Sequence, residues 1–126
     1  MMVVATLARA DVAALAPTYK SAAEEWWANM GPIIIGDELG SPVVDARYEP
    51  LALRIPGGSY KFDFYYLLAD GREVAVEVKG SRRQKNYRDA RSHLRAAAEW
   101  WPQWTWYEVR IARPGFFELE RINGRS

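Results

Sequence analysis

The spacing of apolar and polar positions changes character several times along the chain. Pro17-Thr18 precedes a stretch opened by Ser21-Ala22-Ala23-Glu24, and the spacing predicts a helix to about Met30, ended by Gly31-Pro32. Ile33 to Ile35 read as a short buried strand or an extended segment, and Gly36 to Pro42 as turn. Val43 to Ile55 read as a strand, with Pro50 marking an edge or a bend. After Pro56-Gly57-Gly58 comes a hairpin from Tyr60 to Lys79, then a basic loop from Gly80 to Lys85. Asn86 can cap a helix that runs through Trp101 and stops at Pro102, with Ala90, Leu94, Ala97 and Trp101 as its buried stripe. Gln103 to Ala112 read as a buried strand, followed by a short strand around Phe116 to Leu119. The predicted order is α-β-β-β-α-β: an α/β chain, mixed α+β in detail, with a mixed central sheet flanked by helices. Residues 1–16 read as an arm or extra helix, and 17–126 as one domain.

The hairpin carries the candidate chemistry. Side chains alternate across a strand, so Glu77 and Lys79 share one face while Val74, Val76 and Val78 share the other. On the preceding strand Asp63 and Tyr65 lie on one face, and Phe62, Phe64, Tyr66 and Leu68 on the opposite one. A two-residue Asp70-Gly71 loop would put Asp63 on the valine face. A three-residue loop, Ala69-Asp70-Gly71, pairs Leu68 with Arg72 and Asp63 with Glu77, and keeps the apolar faces together. That loop needs a left-handed last residue, which Gly71 suits. In this register the two carboxylates are cross-strand neighbours with Cβ atoms about 5 Å apart, an arrangement that is destabilising unless a cation is shared. Two carboxylates and an ammonium so placed have the donor chemistry for Mg²⁺ at a phosphodiester. The same residues also read as an exposed charged strip in which Lys79 or Lys61 neutralises the acids.

Composition narrows the setting. The 126 residues suffice for one domain with a real core, and no apolar run reaches the ~20 residues of a membrane span. The start is a poor signal peptide, interrupted by Arg9 and Asp11, so a cytoplasmic setting is expected. With no cysteine and His93 as the one histidine, disulfides, thiolate sites and multi-histidine metal sites are excluded. His93 itself reads as a surface residue. The net charge of +1 hides an asymmetry. Lys79 to Arg95 holds seven basic residues against Asp89, a net +6, while the remainder holds ten basic against fifteen acidic, a net −5. Positive charge thus gathers directly after Glu77-Val78-Lys79, where a phosphate backbone would lie. A solvated helix face is the alternative.

Taken together, Ser21-Ala22-Ala23-Glu24, Tyr48-Glu49-Pro50-Leu51, Tyr60-Lys61-Phe62-Asp63-Phe64, Glu77-Val78-Lys79-Gly80 and Trp100-Trp101-Pro102 resemble the PD-(D/E)XK nuclease superfamily. The likeness is to its small phage-type endonucleases, which include Holliday junction resolvases. It covers Ser21 to Ile111, with Phe62 standing where the family usually carries proline. The resemblance implies a restriction-endonuclease-like core over 17–126 and a Mg²⁺-dependent endodeoxyribonuclease, with Mn²⁺ able to substitute. Its metal-binding acids fall on Asp63 and Glu77, its lysine on Lys79, and its helical glutamate on Glu24, with Glu25 the neighbouring candidate.

The expected roles follow. Asp63 and Glu77 hold the metal, the Val78 carbonyl completes the set, and Lys79 positions a water or stabilises developing negative charge. Glu24 binds a second metal or orients a water; alternatively Ser21 and Glu24 form a capping box, with Glu24 bonding back to the Ser21 amide. Arg82, Arg83, Gln84, Lys85, Arg88 and Arg91 are expected on DNA. Branched or duplex DNA is the expected partner, with no membrane and no small-molecule cofactor. Six tryptophans include the pairs Trp26-Trp27 and Trp100-Trp101, which cannot both point inward, and exposed aromatics suit a homodimer. A non-catalytic DNA-binding module and a general or sequence-selective endonuclease of the same superfamily are the competing readings.

Overall fold

The computed structural model describes residues 18–80 and 87–124. Its elements are α1 (Ala22–Leu39), β1 (Val43–Tyr48), β2 (Ala52–Ile55), β3 (Gly58–Lys61), β4 (Phe64–Leu68), β5 (Glu73–Lys79), α2 (Tyr87–Trp100), β6 (Thr105–Arg113) and β7 (Phe116–Arg121). Five strands form a mixed sheet ordered β1-β4-β5-β6-β7, and β2 and β3 form a separate ribbon. Only the β5–β6 pairing is parallel within the sheet, bridged by α2 as a crossover.

The core lies on both sheet faces. Trp27 and Ile35 of α1 pack on Phe64, Tyr66, Val76 and Val109. On the other face Leu94 and Ala97 of α2 meet Phe62, Ala75 and Trp106, joined by Leu53 and Tyr60 of the ribbon. β5 is central and covered on both sides, so Val74 to Val78 are buried without alternation.

Three expectations are corrected. First, α1 does not stop at Gly31-Pro32 but continues to Leu39, with Pro32 inside it and Gly40 as a left-handed cap. Glu24, Trp27, Gly31 and Ile35 form one buried stripe at helical spacing, and that packing outweighs the hydrogen bond Pro32 cannot make. Ile33 to Ile35 are therefore helix. Second, Val43 to Ile55 is two strands in different sheets, broken at Glu49-Pro50-Leu51, where Glu49 takes φ 45°. Third, Tyr60 to Leu68 is likewise two strands, parted at Phe62-Asp63. The break turns Phe62 away from the valine face onto Trp104 and Trp106, each 5.6 Å away by ring centroid. The observed order is thus α-β-β-β-β-β-α-β-β.

The hairpin loop agrees with expectation. Phe64 pairs with Val76 and Leu67 with Glu73, the Leu68 amide bonds to the Arg72 carbonyl at 2.9 Å, and Gly71 has φ 93°. The 1–16 segment, the Asn86 cap, and Arg82, Arg83, Gln84 and Lys85 lie outside the described residues, as does the Arg88 side chain.

Candidate active site

One end of the sheet gathers the charged residues. The carboxyl ends of β1, β5 and β6 meet there with the amino ends of β4 and β7. The loop register continues to set Asp63 against Glu77, although the β4–β5 ladder ends at Phe64. In the bend before β4, Asp63 turns its carboxylate to β5, and Oδ2 accepts from the Val78 amide at 2.7 Å. Glu77 Oε1 accepts from the Tyr60 hydroxyl at 2.7 Å, and Oε2 lies 2.9 Å from Lys79 Nζ. Asp63 and Glu77 are both buried, with Lys79 paired to Glu77. Asp63, Glu77, Val78 and Lys79 are therefore together.

Burial dominates the electrostatics. It pushes the Asp63 carboxyl up to about 9, with the charges of Glu77 and Glu24 adding to the rise and the Val78 amide and Lys79 opposing it. Glu77 is raised by burial too, opposed by Lys79 and the Tyr60 hydroxyl. Tyr60 is held well above the usual phenol range by burial first and then by the Glu77 charge, so it stays a donor.

Glu24 lies in the first turn of α1 with its side chain buried. Its Oε1 accepts from the Lys20 amide at 2.9 Å and the Tyr48 hydroxyl at 3.1 Å, while Ser21 Oγ accepts from the Glu24 amide at 3.1 Å. The cap exists, but Glu24 bonds back to the Lys20 amide rather than to that of Ser21. Its charge reaches Asp63. Among the described residues, however, no three His, Cys, Asp or Glu side chains stand close enough to hold one metal ion. Glu25 is exposed.

Arg91 does not stand alone on α2: it bonds Glu108 Oε1 at 2.7 Å and Glu120 Oε2 at 2.6 Å. Glu108 is fully buried and also receives Arg110. The β5–β6 register sets Glu108 beside Glu77 and Arg110 beside Lys79, so this network borders the acids. A groove of about 610 Å³ is lined by Gly80, Arg110, Phe116 and Phe117. His93 is exposed, as expected of a surface histidine. Tyr65 packs on Trp104 and bonds Glu73, and Trp100 is the exposed member of its tryptophan pair.

Sequence reasoning missed Tyr60, Glu108, Arg110 and Glu120. Strand alternation hinted at Glu108 and Arg110, which share the 77/79 spacing, but the parallel register that aligns them depends on α2. Nothing in the spacing marked Tyr60, because the β3–β4 break hides its proximity to Glu77.

The donor set is all oxygen: two buried carboxyl groups and the backbone carbonyl of Val78 on the same strand end. That chemistry fits a hard divalent cation such as Mg²⁺. Compared with family models, with curated proteins and with solved structures, the chain matches none.

Proposed function

We propose that the protein is a Mg²⁺-dependent endonuclease of the restriction-endonuclease-like kind, acting on branched DNA as a Holliday junction resolvase does. The observation that carries this reading is the buried Asp63–Glu77 pair beside Lys79 at one end of the sheet. Two acids buried side by side are costly to ionise, and a bound cation offsets that cost. A bound Mg²⁺ would supply positive charge against the scissile phosphate and lower the pKa of the attacking water.

The chain's own groups do the rest. Asp63 and Glu77 would hold the cation, with the Val78 carbonyl as a third oxygen. The Val78 amide fixes the Asp63 rotamer, and Tyr60 fixes that of Glu77. Lys79 gives up part of its contact with Glu77 to orient the water and to stabilise negative charge on the phosphate. Glu24 lends negative charge from α1 and would orient a water near Asp63. The basic segment from Lys79 to Arg95 draws in the DNA backbone.

The test is cleavage of a four-way junction, a fork and a linear duplex with Mg²⁺ and with Mn²⁺. The proposal expects nicks that Asp63→Ala and Lys79→Ala abolish while DNA binding persists. A second reading, a DNA-binding module without catalysis, is favoured by the Glu77 carboxylate already having partners on both oxygens. It expects salt-sensitive binding and no cutting with either metal.

A further inference from the structure

Charge along the sequence points to one basic flank, after Lys79. A second lies across the acids, assembled from three separate places in the chain. Glu49 Oε2 is 2.7 Å from Lys20 Nζ, and its Oε1 is 3.8 Å from Lys61 Nζ. The two lysine side chains are 67% and 55% exposed, while that of Glu49 is only 17% exposed. A largely buried carboxylate therefore holds two ammonium groups out at the surface.

This trio is tied to the site. The Glu49 amide donates to the Asp63 carbonyl at 2.7 Å, and Lys61 precedes Asp63 by two residues. The Lys20 amide donates to Glu24, and the carboxylates of Glu49, Glu24 and Asp63 all hold the Lys20 ammonium above its ordinary range. Glu49 is also the one described non-glycine residue with positive φ, at 45°, and it precedes Pro50. Left-handed backbone at such a position persists where the surroundings enforce it, and it clusters at functional sites. In the strand order β1-β4-β5-β6-β7 the trio sits at the β1 side and the Arg91 network at the β6–β7 side, with the acids between. Two strand spacings, about 10 Å, separate β1 from β5. A duplex strand covers that distance in about three nucleotides.

We propose that Lys20 and Lys61 form a phosphate clamp for DNA on the β1 side of Asp63, and that Glu49 holds the two ammonium groups until a backbone phosphate replaces its carboxylate. The inference takes its substrate from the nuclease reading, but the clamp acts in binding and is testable without catalysis. The Glu49 carboxylate acts as a stand-in anion, so it competes with DNA while keeping both lysines in place.

The experiment titrates a fluorescein-labelled four-way junction with full-length protein by anisotropy, with Ca²⁺ in place of Mg²⁺, across a salt series. Lys20→Ala and Lys61→Ala are each expected to flatten the plot of log Kd against log salt by about 0.9. Lys20→Arg and Lys61→Arg keep the wild-type slope, and Glu49→Gln tightens binding several-fold at low salt. Unchanged slopes in both alanine variants, arginine variants that behave like alanine, or weaker binding by Glu49→Gln each overturn the clamp. Flattened slopes in the alanine variants together with wild-type protein that cuts nothing with Mg²⁺ overturn the nuclease reading and leave the clamp standing. Cutting with unchanged slopes overturns the clamp alone.

Discussion

At Asp63 the protein buries a carboxyl group beside that of Glu77, with the Val78 amide and the Lys79 ammonium opposing the cost. With its folded value raised to about 9, Asp63 must take up a proton on folding at neutral pH, a cost that asparagine avoids while keeping the acceptor for the Val78 amide. Asp63→Asn should therefore raise the melting temperature of metal-free protein at neutral pH. Mg²⁺ should stabilise the wild type by mass action and leave the variant unmoved. Differential scanning fluorimetry with EDTA and with Mg²⁺ reads both effects, and equal Mg²⁺ shifts would deny Asp63 a ligand's role. Tyr60 is the support behind Glu77, and losing such a partner typically costs 10–100-fold in metal affinity or activity, about the range expected for Tyr60→Phe. Raising Mg²⁺ in the cleavage assay should restore part of that loss. Glu120 gives the pH dependence. Hydrogen bonding from Arg91, and then from Arg110, holds its carboxyl below the ordinary 4.5. The unfolded chain therefore binds a proton that the folded chain does not, and the contact's stabilisation is present above that value and lost as pH falls through the folded one. Urea melts should show the gap between wild type and Glu120→Gln closing from pH 6 towards pH 3.

Helix α1 shows how packing overrides local signals. Gly31 admits the Tyr66 hydroxyl and the Trp27 ring so closely that a Cβ there would lie 2.5 Å from one and 2.6 Å from the other. Both of those side chains are fully buried, so Gly31→Ala should cost about 1–3 kcal/mol by overpacking despite alanine's better helix propensity. A thermal melt several degrees lower is expected; an unchanged or higher one would mean that the helix shifts freely. The stripe Glu24, Trp27, Gly31, Ile35 was present in the sequence at helical spacing. Gly31-Pro32 masked it, because a glycine-proline pair is ordinarily a stop. The β4–β5 loop was legible because only one register keeps both apolar faces together. The breaks at Glu49 and at Phe62-Asp63 were not, since a strand that changes sheet has the same residue alternation as one that continues. Asp63, Glu77 and Lys79 were legible as a local unit. Tyr60, which bonds Glu77, and Tyr48, which bonds Glu24, were not, because each comes from an element whose position depends on tertiary packing.

At the scale of the whole molecule, parallel pairing of β5 and β6 brings the carboxyl ends of both strands to one side, and the β3–β4 bend brings Asp63 to the same place. The acids then sit mid-sheet, with Lys20 and Lys61 towards β1 and the Arg91 network towards β7. A junction has two equivalent strands to cut, so a two-fold homodimer is the assembly that suits the proposed substrate. Light scattering at micromolar concentration should return twice the 14.4 kDa chain mass, and a monomer would count against paired cutting. Among the described residues no helix is long and apolar enough to cross a membrane. The central claim is that Asp63, Glu77 and Lys79 cut DNA with Mg²⁺, and nick mapping on an end-labelled four-way junction tests it most directly. The account predicts symmetric paired nicks that require the metal and vanish in Asp63→Ala and Lys79→Ala. No cleavage with Mg²⁺ or Mn²⁺, or cleavage that survives both substitutions, would contradict it.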